Sequence, residues 1–320
     1  MLVTGGAGYI GSHIVKELLD TEHNVFIIDN LQKGHVNSVL GGKFIRGDLG
    51  DEGLLHEIFE EFKIDAVIHL AADSLVGESM KDPRKYYKNN LCNGLNLLNV
   101  MVSHGTRYIV FSSTAAVYGE PIRIPIDEDH PKHPSNVYGE TKIAFENALH
   151  WYDIAYGIKS ISLRYFNAAG ADPSGRIGEK HDPETHLIPI ILDAALGKRE
   201  HLQIYGTDYN TEDGTCVRDY IHVTDLATAH ILALEALSQG ANSRVYNLGN
   251  QKGFSVREVI KTTEEVLGRP MPVVEGPRRA GDPAILVASS ERIKKELNWR
   301  PKYDDLHVII ETAWKWHKGL

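Results

Sequence analysis

The 320-residue sequence predicts an α/β fold, a doubly wound parallel sheet joined to a smaller, loop-rich α/β part. Three observations carry this reading. A short apolar strand runs straight into Thr4-Gly5-Gly6-Ala7-Gly8-Tyr9-Ile10-Gly11, and a second strand-like run closes on Asp29. Strand and helix patterns then alternate through the first half of the chain, as a parallel sheet covered on both faces requires. Beyond about residue 166 the alternation loosens, with Gly, Pro, Asp and His clustered between 168 and 189 and between 206 and 217.

Taken in order, the first strand covers 1–4 and the first helix 9–20, with Gly5, Gly8 and Gly11 between and within them. One glycine allows the tight turn, one lets a pyrophosphate approach the backbone, and one permits close packing of helix on strand. The helix N-terminus adds oriented N–H groups and partial positive charge. The strand at 24–29 ends in Asp29, whose carboxylate can hold both ribose hydroxyls of NAD and repel the extra phosphate of NADP. Strands follow at 43–47, 66–70, 107–112 and 158–163, and helices at 51–63, 83–104 and 137–156. In 83–104, Leu91, Leu95, Leu98 and Val102 recur at three- and four-residue spacing, the pattern of one buried face. The later part shows helices at 188–197, 225–237, 255–267 and 289–297 and a strand at 245–248. Together these give a Rossmann-like domain over 1–166, to which the chain returns near 220–250, and a second domain over 167–320.

Composition narrows the classes. A net charge of −9 argues against non-specific binding to nucleic acid or an anionic membrane surface. No apolar stretch approaches the ~20 residues that span a bilayer. Cys92 and Cys216, far apart, offer neither a disulfide framework nor metal-ligand spacing. The first residues lack the basic-then-apolar profile of a signal peptide. The expectation is a soluble, cytoplasmic protein.

Tyr138-Gly139-Glu140-Thr141-Lys142 opens the 137–156 helix just past Pro134, so Tyr138 and Lys142 share one helical face. A phenol of ordinary pKa about 10 is a poor base at neutral pH. A neighbouring ammonium and the positive ring of NAD would favour phenolate. Upstream, Phe111-Ser112-Ser113-Thr114 ends a strand and brings the Thr114 hydroxyl to the carboxyl edge of the sheet.

With these residues in place the sequence resembles, over essentially its whole length, the extended short-chain dehydrogenase/reductase superfamily, and within it the 4-epimerases of UDP-hexoses. The resemblance rests on Thr4–Gly11, Asp29-Asn30-Leu31, Gly47-Asp48-Leu49, His69-Leu70-Ala71-Ala72, Tyr86-Tyr87-Lys88-Asn89-Asn90 and Ser112–Gly119. The more specific motifs come later, in Tyr165–Ala171, Thr185–Pro189, Asp213–Val223 and Arg278-Arg279-Ala280-Gly281-Asp282. It implies NAD-dependent inversion at C4 of a UDP-hexose, interconverting UDP-glucose and UDP-galactose through a 4-keto sugar. Tyr138 would be the base, with Lys142 and Thr114 assisting it. Tyr9 and Ile10 would meet the pyrophosphate, and Asp29, Asn30, Leu31, Gln32, Lys33 and Gly34 would surround the adenosine ribose. Asp48 and Leu49 would flank the adenine. Leu70, Ala71, Ala72, Asp73, Ser74, Asn89, Thr114, Tyr138, Lys142 and Phe166 would line the rest of the cofactor site. For the UDP-sugar it implies Asn167, Leu187, Tyr205, Arg218, Arg279 and Asp282, with Leu286 as the wall beside the C2 substituent. Two guanidinium groups suit a diphosphate. Ser74 stands where some members carry lysine, and His186 where some carry asparagine. A homodimer paired through the 83–104 and 137–156 helices is also implied.

A 4,6-dehydratase commonly has an Asp-Glu pair after the threonine, where this chain has Ala115-Ala116. A UDP-N-acetylglucosamine or UDP-glucuronate 4-epimerase is the closer alternative, and a non-catalytic dinucleotide sensor the more distant one. Among the 16 histidines, His130 with His133 and His181 with His186 read as loop residues without a supporting Cys or Glu at ligand spacing, so no metal is expected. Asp208–Gly214 fails as a calcium loop, because its glycine comes one residue late and no closing Glu follows. Lys315-Trp316-His317-Lys318 is too short a basic run for nucleic acid, and Trp314 and Trp316 read as packing or interface residues.

Overall fold

The computed structural model describes residues 1–279 and 281–320. Its first half runs β1 (Leu2–Thr4), α1 (Tyr9–Leu19), β2 (Phe26–Asp29), β3 (Lys43–Arg46), α2 (Glu52–Glu61), β4 (Ala66–His69), the short α3 (Val76–Ser79) and α4 (Pro83–Tyr86), α5 (Asn93–Ser103), β5 (Tyr108–Thr114), α6 (Val137–Tyr156) and β6 (Lys159–Tyr165). There follow β7 (Asn167–Ala169), α7 (Leu187–Ala195), β8 (Leu202–Tyr205), β9 (Val217–His222), α8 (Val223–Ser238), β10 (Arg244–Leu248), β11 (Gly253–Ser255), α9 (Val256–Leu267), β12 (Val273–Gly276), β13 (Ile285–Leu286), α10 (Glu291–Glu296) and α11 (Leu306–His317).

Seven strands form the central sheet in the order β10-β6-β5-β4-β1-β2-β3, every pair parallel. The inner strands β1, β2 and β4 are near-continuous apolar runs because both faces are covered. Ile14, Val15 and Leu18 of α1 pack with Leu226 and Ala227 of α8 on one face. Leu55 and Ile58 of α2, Leu98 of α5 and Phe145 and Leu149 of α6 cover the other. This is the doubly wound α/β class. The chain leaves β1 toward β2 and β3, then returns to the other side of β1 as β4, so the strand order reverses between β1 and β4. Ligands of such sheets bind beyond the carboxyl ends of the strands at that reversal.

A second sheet joins β11, β9 and β13, with β7 also paired to β9, and β8 pairs with β12. Ile188, Ile191 and Leu192 of α7, Ile260 of α9, and Ile309 and Ile310 of α11 build the core beside them. None of the short strands β7, β8, β9, β11, β12 and β13 is signalled by local pattern, since their partners lie far off in the sequence. Helix α11, absent from the sequence expectation, does carry a local signal. Asp305 caps it, its side chain accepting from the His307 N–H, and Leu306, Ile309, Ile310 and Ala313 form its buried stripe.

One helix departs from expectation. The stretch 83–104 is interrupted by a π-helical turn at Tyr87–Cys92. Such a turn adds a residue and rotates the face that follows. Leu97, Leu98 and Met101 are therefore fully buried, while Leu91, Leu95 and Val102 of the expected stripe only flank the core.

Candidate active site

A long cavity opens at the β1/β4 reversal. It is lined by Gly5, Gly8, Tyr9, Ile10, Gly11, Asp29, Asn30, Gln32, Lys33, Gly34, Asp48 and Leu49, then by Leu70 to Ser74, Asn89, Thr114, Tyr138, Lys142 and Phe166. The residues assigned to the cofactor thus share one cavity, with one exception. Leu31 is not part of the lining; its N–H instead donates to the Asp29 carboxylate at 2.8 Å, with its backbone in the left-handed region.

The turn after β1 has the shape of a phosphate cradle. A Cβ at Gly11 would come within 2.2 Å of the Gly5 carbonyl oxygen, so the turn can close only over glycine. Helix α1 starts here with no acidic side chain in its first turn, leaving its N-terminal field open to an anion. Asp29 is held on both oxygens, by the Ala7 N–H at 3.0 Å and the Leu31 N–H. Burial pushes its carboxyl up and the two N–H groups oppose that. These features fit a dinucleotide.

Tyr138 meets Thr114 because of a second close approach. Helix α6 begins at the Asn136 cap, whose side chain accepts the Gly139 N–H at 2.9 Å. A Cβ at Gly139 would lie 2.5 Å from the Ala116 carbonyl oxygen, so glycine lets the helix press against the turn that follows β5. One turn along, Lys142 Nζ donates to the Ser112 carbonyl at 2.7 Å and sits 5.9 Å from the Tyr138 ring centroid. The electrostatics differ from the expectation that an adjacent ammonium lowers the phenol. Burial pushes the Tyr138 phenol up to about 12, with the Thr114 hydroxyl working against it. Burial also draws Lys142 down to about 7, against the pull of Glu146. Within the chain alone, the charge that would favour phenolate is largely suppressed.

Behind this pair lies a buried network that sequence did not reveal. Arg164 grips both carboxylate oxygens of Glu146, and Ser113 Oγ donates to the same carboxylate at 2.5 Å. Arg164 also donates to Tyr118 Oη at 2.9 Å, and Tyr118 Oη to Asn247 Oδ1 at 2.6 Å. These bonds tie α6 to β5, β6 and β10, one turn below Lys142. Ser112, Tyr165, Glu179, His181 and His186 are further lining residues that motif reading did not assign.

Of the residues assigned to the UDP-sugar, Asn167, Thr114 and Tyr138 line the cavity. Asn167 donates to the Asp219 carbonyl at 2.9 Å. Leu187, Tyr205, Arg218, Arg279, Asp282 and Leu286 lie outside that lining. Arg218 pairs with Asp282 and stands opposite Leu286 in the β9–β13 register. The Arg279 guanidinium stacks 4.0 Å above the Tyr205 ring. Leu286 packs in one apolar cluster with Ala115 and Phe166, which links this group to the Thr114 end of the cavity.

His181 and His186 do not lack supporting carboxylates, as their spacing suggested. Glu179 and Glu184 stand beside His181 and His186, so the carboxylates that spacing left out are supplied by the bend of the loop.

A dinucleotide cradle with a Tyr-x-x-x-Lys pair at its inner end defines an NAD-dependent enzyme of the short-chain type, and comparison with known proteins agrees. Residues 1–249 match the NAD dependent epimerase/dehydratase family, and the chain belongs to that family. It is 57% identical over 318 residues to the UDP-glucose 4-epimerase of Halalkalibacterium halodurans, covering 99% of this chain and 95% of the relative. The structure of the Brucella ovis UDP-glucose 4-epimerase in complex with NAD superposes with a TM-score of 0.96 at 47% identity, covering 98% of this chain and 96% of that one. That of the Bifidobacterium longum UDP-glucose 4-epimerase in complex with NAD+ and UDP gives 0.93 at 39% identity, covering 99% and 98%.

Proposed function

We infer that this enzyme interconverts UDP-glucose and UDP-galactose by NAD-dependent inversion at C4, through a 4-keto sugar. The observation that carries the reading is the meeting of Tyr138, Thr114 and Lys142 in the cavity that the glycine turn and Asp29 open. Relatives of that activity over nearly the whole chain support it. Held by the glycine turn, Asp29 and Lys142, NAD would supply the hydride acceptor and donor for inversion at C4. Tyr138 Oη takes the proton of the 4-hydroxyl and gives it back, and the Thr114 hydroxyl hydrogen-bonds the same oxygen. Lys142 orients the cofactor's ribose and, when protonated, favours phenolate. The nucleotide end carries the anchoring contacts, with Arg218 and Arg279 on the diphosphate and Asn167, Leu187, Tyr205 and Asp282 around it. The sugar then turns about that tether while Leu286 bounds its C2 side. In this reading residues 1–166 and the return near 220–250 hold NAD, and 167–320 mainly hold the UDP-sugar.

The test is to incubate the purified protein with UDP-galactose and no added NAD. UDP-glucose should form. Loss of water from the sugar would mean a dehydratase, and an unchanged substrate would mean a non-catalytic protein.

Trp151 and Ile154 of α6 are each 64% exposed and Tyr87 is 41% exposed, on the helices expected to pair across a two-fold axis. This supports a homodimer. Light scattering at micromolar concentration giving about the 35.6 kDa of one chain would exclude it. No described helix is long and apolar enough to cross a membrane, and Cys92 and Cys216 are free thiols. Both features support a cytoplasmic location.

A further inference from the structure

The loop between β7 and α7 brings together four side chains to which the proposed reaction assigns no step, three of them bordering the cofactor cavity. One ligand atom each from Glu179, His181, Glu184 and His186 lies within 4.8 Å of all the others. Each imidazole faces both carboxylates. His181 Nδ1 is 3.1 Å from Glu179 Oε1 and 3.6 Å from Glu184 Oε2. His186 Nδ1 is 2.5 Å from Glu179 Oε1 and 3.4 Å from Glu184 Oε1. Four ligands about 2.05 Å from a tetrahedral zinc ion would stand roughly 3.3 Å apart. Three of the four nitrogen–oxygen separations lie within about 0.3 Å of that edge length, Glu184 offering Oε2 toward His181 and Oε1 toward His186, and side-chain rotation would draw the set, now within 4.8 Å, onto one ion.

A second observation points into the same space. Glu179 is only 4% exposed, and its Oε1, like His181 Nδ1, makes no properly directed hydrogen bond. Buried carboxylate oxygens ordinarily have partners. Here close approach without hydrogen-bond direction is the arrangement of atoms converging on a common point. The backbone is braced from outside the cluster. Trp316 Nε1 donates to the Glu179 carbonyl at 3.0 Å, Lys33 Nζ donates to the Asp182 carbonyl at 3.0 Å, and His35 Nε2 reaches the Lys180 carbonyl at 3.1 Å. Glu184 Oε1 accepts the Thr185 and His186 N–H groups at 2.7 and 2.9 Å, which fixes that carboxylate and leaves its other oxygen toward His181.

We propose that Glu179, His181, Glu184 and His186 form a binding site for one zinc ion, a structural clasp on the loop that borders the cofactor cavity. Two imidazoles and two carboxylates suit zinc, whereas calcium and magnesium take oxygen-only sets. Four protein ligands close a tetrahedral shell, so the ion holds the loop and takes no part in the reaction.

The test uses untagged holoenzyme, stripped with a chelator and titrated with zinc alone, with metal content measured after gel filtration. One zinc per chain is expected, and cobalt in its place should give the intense visible absorption of a tetrahedral site. His181→Ala should weaken zinc binding at least about 100-fold, since outer-shell changes alone cost 10–100-fold. Glu184→Gln keeps the side chain's shape and its backbone hydrogen bonds, and should weaken binding in the same direction while retained NAD reports an intact fold. Failure of the stripped protein to take up zinc would overturn the proposal and leave two imidazolium–carboxylate pairs. So would full zinc retention in a His181→Ala/His186→Ala double variant.

Discussion

Replacing Tyr138 by phenylalanine removes a single oxygen from a buried ring. The ring volume is kept and no backbone bond depends on the hydroxyl, so fold and NAD content should survive. The chemistry should not. Burial holds this phenol at about 12, which at pH 8 leaves only about one chain in 10⁴ as phenolate. Lys142, drawn down to about 7, is about nine-tenths neutral at that pH and adds little. On these values the phenol needs a further positive charge, and the nicotinamide ring of bound NAD would supply one. With phenolate as the active form in the proposed reaction, turnover should rise with pH by up to tenfold per unit and level off above the phenol's pKa in the complex. A positioned base contributes about 10²–10⁴-fold, or roughly 3–5 kcal/mol of barrier. Tyr138→Phe should lose that much in kcat, and the residual rate should lose the rise with pH. Formation of UDP-glucose from UDP-galactose across pH 6–9, with acid-released NAD measured on the same sample, checks both. Turnover within tenfold of the parent enzyme, or the same rising profile in the variant, would place the base elsewhere.

Nucleotide released by acid should be NAD with little NADP, and Asp29→Asn should raise the NADP share; mainly NADP from the parent protein would refute the role of Asp29. UDP-glucose and UDP-galactose should be preferred over their 2-acetamido counterparts by the 10–200-fold typical of apolar pockets, about the range open to Leu286. Leu286→Ser should narrow that gap and Leu286→Tyr widen it, and equal kcat/KM for UDP-N-acetylglucosamine would show that Leu286 does not set it. Acid stability follows from four buried histidines, His69 and His222 lowered to about 3 and His13 and His230 to about 4, in each case chiefly by burial. Below pH 6.5 the unfolded chain takes up protons that these native imidazoles refuse, so their contribution to stability falls as the pH drops toward the folded values, while Asp219, raised to about 7 by burial, works in the opposite direction. In an NMR titration of the folded protein these four imidazoles should stay neutral down to pH 5, and protonation near pH 6.5 would refute it.

What the sequence determined by itself is local. The glycine turn, Asp29 and the alternation of the first half are written in residues a few positions apart. Helix 137–156 is legible to the residue, because Asn136 caps its start and Gly157, left-handed at its end, stops it. Periodicity and capping act within one or two turns, so a linear reading finds them. Tertiary structure decided the rest. Strand β13 is two residues long and is a strand only because β9, some seventy positions earlier, pairs with it. The π turn at 87–92 re-aimed the buried face of α5, a rotation that no heptad count includes. Tyr138 stands by Thr114 because Gly139 lets α6 approach within the reach of a missing Cβ. Burial, which no single residue displays in sequence, raised the phenol and lowered the lysine meant to assist it. Glu179 and Glu184 flank His181 and His186 within eight residues, yet their spacing matches no regular element. It took a loop braced by Lys33, His35 and Trp316 to turn all four inward.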